Sequence, residues 1–501
     1  MPDELKTPKW KRYFWRNTFS NYIRVVVRLL LGLILFRLLY SGLSEEDFGF
    51  WSLLWSLFGY GVLLDFGFGF TAQKVVAEKT ETEEWEELSH LLSTLLWTFI
   101  GLAVVIGVVF FSIQGLFLEA IHISPDKYST YTLAYLIFFA GLALTFPFGL
   151  FPEVLQGVQR IDLANWLRTS AIVLNFIGIL VALNMGLSFP VIIFISVITT
   201  LLPNVAALFV VRRMLPKVSL SLRHFRWRSV KSQMGFSIAA YLITFSNLLM
   251  SKSDQAVLGV TLGVGVIAVY QAGYKVAEMF NMFTIQLQEA LSPAAASMNA
   301  TGDREGLKEL LLKTSRLTFV IATPLYGLCA IYLKPLIQLL TGLTVIEQST
   351  LLVGHILLLA IYSSQLTNSC SKRIMMMCGY EKKLLFLALL DGLGNVFLSV
   401  ILALSFGIVG VALGTLIPTV LVGWLLVLPL ALVYMQINLW VYIKYVLSAS
   451  GPVILFAVCS VLVVFFLPMP EEGGLGHLAI RGSLAGVPAL LWVLKSYRSI
   501  K

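Results

Sequence analysis

Apolar runs of about twenty residues recur along the whole chain, each bounded by short clusters of charge or turn formers. Runs of that length match the hydrocarbon thickness of a bilayer when coiled as α-helix. Fourteen are found, at roughly 18–40, 48–71, 89–111, 131–151, 167–185, 189–211, 234–251, 255–287, 317–340, 350–369, 384–405, 408–434, 441–467 and 475–494. The pattern predicts an all-α integral membrane protein of about fourteen transmembrane helices. An even number puts both chain ends on one side.

The spacing also repeats. Residues 43–87 and 262–306 share a layout: LSEEDFGFW opens one and LGVGVIAVY the other, and each ends in a charged turn, EKTETEEWEEL or NATGDREGLKEL. A second pair, LQGVQRIDLANW (155–166) and MCGYEKKLLFLA (377–388), places Gly157 before Arg160 and Gly379 before Lys382. The expected plan is two pseudo-symmetric six-helix lobes with two helices appended, and a site between parallel repeats. In residue numbers this gives an N-lobe over 1–211, a basic linker over 212–233, a C-lobe over 234–434, and the last two spans with a tail over 435–501.

Charge fixes the orientation. The chain carries 36 Lys and Arg against 27 Asp and Glu, yet only 13% of its residues are charged. With these spans, 28 of the 36 basic residues fall in alternate loops, five fall opposite, and three, Arg24, Arg28 and Lys275, fall inside spans. The positive-inside rule then places both termini in the cytoplasm. The basic excess is thereby used for topology, and no nucleic-acid partner is expected. The linker RRMLPKVSLSLRHFRWRSVK is either a topology-setting loop or an amphipathic helix lying on anionic lipid. The N-terminus leads into a full-length span rather than a short leader.

Composition excludes several chemistries. There is no GxxxxGK[ST] loop for nucleotide hydrolysis and no HExxH cluster. The four cysteines, Cys329, Cys370, Cys378 and Cys459, lack metal-ligand spacing and are expected as apolar packers. No catalytic residue, metal or cofactor is expected.

The candidate site residues are those whose charge conflicts with their depth. A basic group at mid-bilayer costs roughly 2.5–3.5 kcal/mol, so it faces a bundle interior or an aqueous cavity. Arg24 and Arg28 lie one helical turn apart in the first span. Gln271, Tyr274, Lys275, Glu278 and Asn281 form one polar stripe in the eighth, with Tyr270 beside it. Asp65, Glu153, Asp254, Asp391 and Glu278 are the deep or near-deep carboxylates. Of these, Asp65, Glu278, Asp391 and Asp254 are candidates for coupling to H⁺ or Na⁺.

Three stretches resemble a known family. YGVLLDFGFGFTAQKVVA (60–77), LQGVQRIDLANW (155–166) and DQAVLGVTLGVGVIAVYQAGYKVAEMF (254–280) followed by LSPAAASMNATGDREGLKELL (291–311) are similar to segments of O-antigen and polysaccharide-transporter flippases. Those belong to the multidrug/oligosaccharidyl-lipid/polysaccharide exporter superfamily. The resemblance implies two lobes around a central cavity, alternating access, and export of an undecaprenyl-pyrophosphate-linked oligosaccharide across a bacterial inner membrane. On that reading Arg24, Arg28 and Lys275 offset the pyrophosphate, while Tyr270, Gln271, Tyr274 and Asn281 meet sugar hydroxyls. Membrane lipids, glycan polymerase and glycosyltransferases are the implied partners. Related peptidoglycan-lipid flippases carry cations in spans 1, 2 and 8; span 2 here offers Asp65 instead. A lipid II flippase, a cation-coupled multidrug exporter and, in another class, a membrane glycan polymerase or ligase are the alternative readings. The polymerase would need the outer loop over 112–130, with Glu119, His122 and Asp126.

Overall fold

The computed structural model describes residues 9–61, 68–228, 245, 248–249, 252–288, 291–467, 480–488 and 491–492. Among them every regular element is helical, as a chain solvated by lipid requires: only internal backbone hydrogen bonds satisfy N–H and C=O groups there. Contacts divide the chain into two units. The first is Met1–Leu248 with Gly263–Gly265; the second is Leu249–Leu262 with Val266–Lys501.

In unit 1, α1 (Lys9–Gly42) packs along α7 (Ile161–Asn184), which packs on α8 (Phe189–Met214). α8 in turn packs on α5 (Tyr128–Phe148), and α5 on α4 (Trp85–Ala120). α2 (Glu45–Gly61), α3 (Phe68–Glu81) and α6 (Leu150–Gly157) complete the unit. Its tightest core gathers Phe68, Leu92, Phe151, Ala207 and Val211.

Unit 2 begins with α9 (252–262) and α10 (Gly265–Gln288). It continues through α11 (Leu291–Ala300), α12 (Arg304–Ile331), α13 (Leu333–Thr341), α14 (Gln348–Ser364), α15 (Cys370–Met377) and α16 (Glu381–Val422). α17 (Leu428–Tyr434), α18 (Leu439–Leu447) and α19 (Gly451–Phe466) close it. α16 is broken at Gly407, with φ of 58° and ψ of −138°. That break separates the two expected runs 384–405 and 408–434.

Seven long helical elements among the described residues are apolar enough to cross a membrane, or eight with the bent pair α18 and α19. α2 and α3, at 17 and 14 residues, are too short for that set, and in α10 the polar residues Gln271, Lys275, Glu278 and Asn281 interrupt the apolar run.

Three boundaries differ from the sequence expectation. The run 255–287 is not one helix: Gly263, at φ 87°, ends α9 before α10 begins at Gly265, so Asp254 lies on the earlier helix. Both flanks are apolar, so only the glycine marks the break. The run 441–467 is bent by 51° between Leu447 and Gly451. The linker is not an amphipathic helix over its described part. Residues 215–228 run as a strap with turns at 216–217 and Leu222–His224 and a helical start at 227, bound to the first turns of α4. Ser219 N–H donates to Ser89 Oγ (3.0 Å), Ser93 Oγ to Ser219 O (2.9 Å) and Arg226 N–H to Thr94 Oγ1 (2.8 Å).

The repeat is visible in hydrogen bonds. Glu83 and Gly302 both adopt positive φ, 58° and 71°, a shift of 219 residues. Around them Glu84 N–H donates to Lys79 O and Leu88 N–H to Glu84 O; Asp303 N–H donates to Met298 O and Leu307 N–H to Asp303 O. That is the register of 43–87 on 262–306. At the next turn the geometry aligns Gln159 (φ 64°) with Gly379 (φ 84°), and Arg160 N–H to Leu155 O with Tyr380 N–H to Met375 O. The shift there is 220. The pairing of Gly157 with Gly379 expected from sequence is therefore two residues out of step. Gly157 instead packs against Gln73 and Val76, where a Cβ would meet backbone at 2.8 Å.

Candidate functional site

Each unit holds a polar cluster that includes residues singled out from the sequence. In unit 1 it is cationic. Asn17 on α1 ties that helix to the start of α7: its Nδ2 donates to Gln159 O (3.1 Å) and its Oδ1 accepts from Asp162 N–H (2.9 Å). Asp162 is 1% exposed and held between Arg16 (3.0 Å) and Arg160 (2.9 Å). Further along the same helix pair, Arg24 Nη2 donates to Asn21 Oδ1 (2.9 Å), while its buried Nε has no acceptor among the described residues. Arg24 lies within electrostatic reach of both Arg28 and Arg168. Arg28 is exposed within its unit and makes no ion pair among the described residues.

Arg168 is the residue that sequence reasoning placed in a loop. It sits two turns into α7 and pairs with Glu153 on α6 at 3.0 Å. Glu153 also accepts from Gln156 (2.9 Å) and from Gln73 on α3. The cluster therefore pairs Arg168 with a carboxylate and leaves Arg24 and Arg28 without one among the described residues. Arg16, Arg24 and Arg28 continue it as a basic track about 18 Å long on α1, at 1.5 Å per residue. No spacing in the sequence marks Arg168, because it stands where a polar turn gives way to an apolar run.

In unit 2 the cluster is acidic. Asp254 is 7% exposed, and Tyr270 donates its hydroxyl to it at 2.5 Å. Thr415 Oγ1 donates to the same carboxylate at 3.1 Å, Asn395 Nδ2 donates to Thr415 at 2.9 Å, and Ser253 Oγ donates to Asn395 Oδ1 at 3.1 Å. No basic side chain pairs with Asp254 among the described residues. Asp391, one turn before Asn395 on α16, is 3% exposed. It accepts from Thr419 at 3.5 Å and lies within the field of Lys372 on α15.

These contacts redistribute the expected site residues. Tyr270 is fully buried and donates its hydroxyl to Asp254. Tyr274 stacks on it with ring centres 6.5 Å apart. Lys275 forms an ion pair with Glu278 at 2.7 Å, so each meets its charge on the same helix. Asn281 Oδ1 accepts from Gln365, which accepts from Gln288, binding α10 to the wide π-turn Gln365–Ser369. Gln271 is buried at 7% exposure. Asp65 lies outside the described residues. On the expected outer loop, Glu119 and His122 line a shallow recess with Tyr128, and Asp126 does not join them. The four cysteines are free, two of them buried. No group of three His, Cys, Asp or Glu suited to a metal occurs among the described residues.

Comparison with known proteins places this architecture. A family model described as "Polysaccharide biosynthesis protein" matches residues 14–299. No curated protein matches the sequence. Among solved structures, the lipid II flippase MurJ in an inward closed conformation is similar at TM-score 0.72 and 15% identity, covering 97% of this chain and 99% of that one. An inward-facing multidrug resistance MATE family transporter of the MOP superfamily is similar at TM-score 0.69 and 14% identity, covering 82% and 94%. A MOP superfamily transporter from Pyrococcus furiosus, described as having a binding pocket of reverse polarity, is similar at TM-score 0.56 and 15% identity, covering 87% and 96%. The fold is that of this superfamily of membrane transporters.

Proposed function

Because the chain belongs to the polysaccharide biosynthesis protein family, we propose that it is a flippase that moves an undecaprenyl-pyrophosphate-linked oligosaccharide from the cytoplasmic to the outer leaflet by alternating access. The cargo is an O-antigen or exopolysaccharide repeat unit, and the membrane is the bacterial inner membrane with both termini cytoplasmic. The observation that carries the reading is the excess of arginine on α1 and α7. Arg168 holds the carboxylate of Glu153, while Arg24 and Arg28 have no carboxylate partner and a buried donor on Arg24 has no acceptor among the described residues. A pyrophosphate bridge carries negative charge on each phosphoryl group and accepts several hydrogen bonds. Arginine meets such groups through paired N–H donors.

Glu153 then acts as a resident counter-ion. It holds Arg168 while the site is without cargo and yields it to phosphate when the headgroup arrives. Lys275, already paired with Glu278, contributes through that pair rather than as a lone cation. Gln271, Tyr274 and Asn281 on α10 remain the candidate sugar contacts. A lipid-linked cargo is further supported by coverage: the lipid II flippase matches 97% of this chain, the multidrug transporter 82%.

The drive is assigned to the acidic cluster of unit 2. A buried carboxylate with no basic partner among the described residues, ringed by Tyr270, Thr415, Asn395 and Ser253, is a place where H⁺ or Na⁺ is bound and released. Asp391 is its neighbour on the same helix.

The test is export of surface glycan by Arg24→Ala/Arg28→Ala in a strain lacking the chromosomal copy. Loss of glycan with accumulation of the lipid-linked intermediate inside is expected. Undiminished export by a well-expressed double variant would remove the proposal.

A further inference from the structure

A groove of about 440 Å³ opens on the flank of unit 1, between α4, α5 and α8, with Leu220 of the strap at one end. Its walls are apolar, Leu96, Val104, Leu144 and Leu208 among them, and one charged residue lines it, Arg212. Arg212 stands exposed in the last turn of α8. Val104 and Leu144 are 62% and 54% exposed, so the groove opens sideways. Beside helices that cross a bilayer, the surrounding medium at that depth is hydrocarbon, and lipid chains fill such a groove. The cation at its end decides which lipid.

The strap supplies an independent observation. It is held flat on α4 by the bonds to Ser89, Ser93 and Thr94, and His90 Nδ1 meets His224 O at 2.8 Å. Outward it exposes Leu222, Phe225 and Trp227, interleaved with Arg223, Arg226 and Arg228. Aromatic rings alternating with arginines are the composition of a segment that sits at headgroup level on an anionic leaflet. A loop that only sets topology needs neither the groove nor the fixed strap.

We propose that the groove is a binding site for one anionic phospholipid of the leaflet facing the strap, with an acyl chain between α4 and α8 and the phosphate on Arg212. The site is separate from the arginine cluster on α1 and α7, and it needs no transport to be occupied.

The test is native mass spectrometry of the purified full-length chain, titrated with phosphatidylglycerol or phosphatidylcholine. Wild type should retain one phosphatidylglycerol in preference to phosphatidylcholine, by about fivefold for one basic contact. Arg212→Gln should abolish the preference and Arg212→Lys should keep it. Ala103→Trp, which fills the groove, should lower occupancy by both lipids. Arg213→Gln, next in sequence but outside the groove lining, should change it less than twofold. Equal retention of the two lipids by wild type overturns the proposal. So does a preference that survives Arg212→Gln, or one lost as fully in Arg213→Gln, which would mean diffuse attraction without a site. Because binding is read without export, these outcomes are distinct from failure of the flippase reading.

Discussion

The two units turn the chain in the same places and fill their interiors with opposite charge. Around Glu83 and Gly302 the backbone hydrogen bonds coincide, and around Gln159 and Gly379 they coincide again. Yet α1 and α7 carry Arg24, Arg28 and Arg168, with Glu153 of α6 paired to Arg168, while α9, α10 and α16 carry Asp254, Tyr270 and Asn395. Duplicated turns fix where helices start and stop and leave side chains facing the bundle free to diverge. A scaffold of that kind can give one half to an anionic cargo and the other to a cation.

The largest effect expected from breaking this division is in unit 1. Arg24→Ala/Arg28→Ala/Arg168→Ala should lower export by roughly 100-fold or more, since truncating a desolvated charge contact costs about 2–5 kcal/mol and each 1.4 kcal/mol is tenfold. The same triple variant should leave ion-gradient dependence of any residual export unchanged. Quantifying surface glycan at matched expression checks both.

A second effect concerns how tightly each unit folds its long hairpin. In unit 2 the halves of α16 meet at Gly410 and Gly414. A Cβ on Gly410 would meet the Leu402 carbonyl, and one on Gly414 would lie 2.5 Å from Ser399 N. Both obstacles are backbone. In unit 1 the corresponding helices α7 and α8 meet at Gly178, where a Cβ would lie 2.7 Å from a side-chain methyl of Ile195, which can turn aside. Gly410→Val should therefore destabilise by about 2–3 kcal/mol, the upper range for overpacking. Gly178→Ala should cost well under about 1.5 kcal/mol. Melting temperatures in one detergent separate the two, and equal losses would mean that the hairpins are equally tight.

A smaller effect belongs to the acidic cluster. Asp254→Asn keeps the shape and the hydrogen-bonding oxygen while removing the charge. It should slow gradient-driven export by about tenfold, equivalent to 1.4 kcal/mol, and leave headgroup affinity within twofold. If affinity falls instead, the acidic cluster belongs to the cargo site and the division of labour is wrong.

The sequence announced the repeat because charged turns punctuate apolar runs, and the register of 43–87 on 262–306 is the one the hydrogen bonds take. It announced Arg24 and Arg28 because they interrupt a span. It concealed Arg168, which stands where loop gives way to apolar run and so counts as ordinary inner-side charge; only packing of α7 on α1 brings it to Arg24. It concealed the end of α9, since Gly263 sits between two segments of identical apolar character. Asn281 shared a stripe with Lys275 and Tyr270 flanked it, but periodicity assigns a face and not a partner. Their groups are met by Asp254, on the helix before the break at Gly263, and by Gln365, 84 residues further along the chain.

The least perturbing test exchanges the residues at the matched turns. Gly379 and Gln159 both occupy the left-handed region, at φ 84° and 64°. A side chain there costs about 1–2 kcal/mol in the folded state, whereas replacing glycine restricts the unfolded chain and returns about 0.4–1 kcal/mol. Strain is the larger quantity, so Gly379→Gln should destabilise unit 2 by about 0.5–1 kcal/mol, and Gln159→Gly should stabilise unit 1 by a similar or smaller amount. A Cβ at Gly379 meets nothing within 4 Å, so no clash adds to the backbone cost. Gln159 also accepts a hydrogen bond through its carbonyl from Asn17, a contact that glycine preserves. Opposite shifts in melting temperature would confirm that one turn geometry is held in both units by different residues. Destabilisation by both exchanges would show that the Gln159 side chain has a role of its own between α6 and α7.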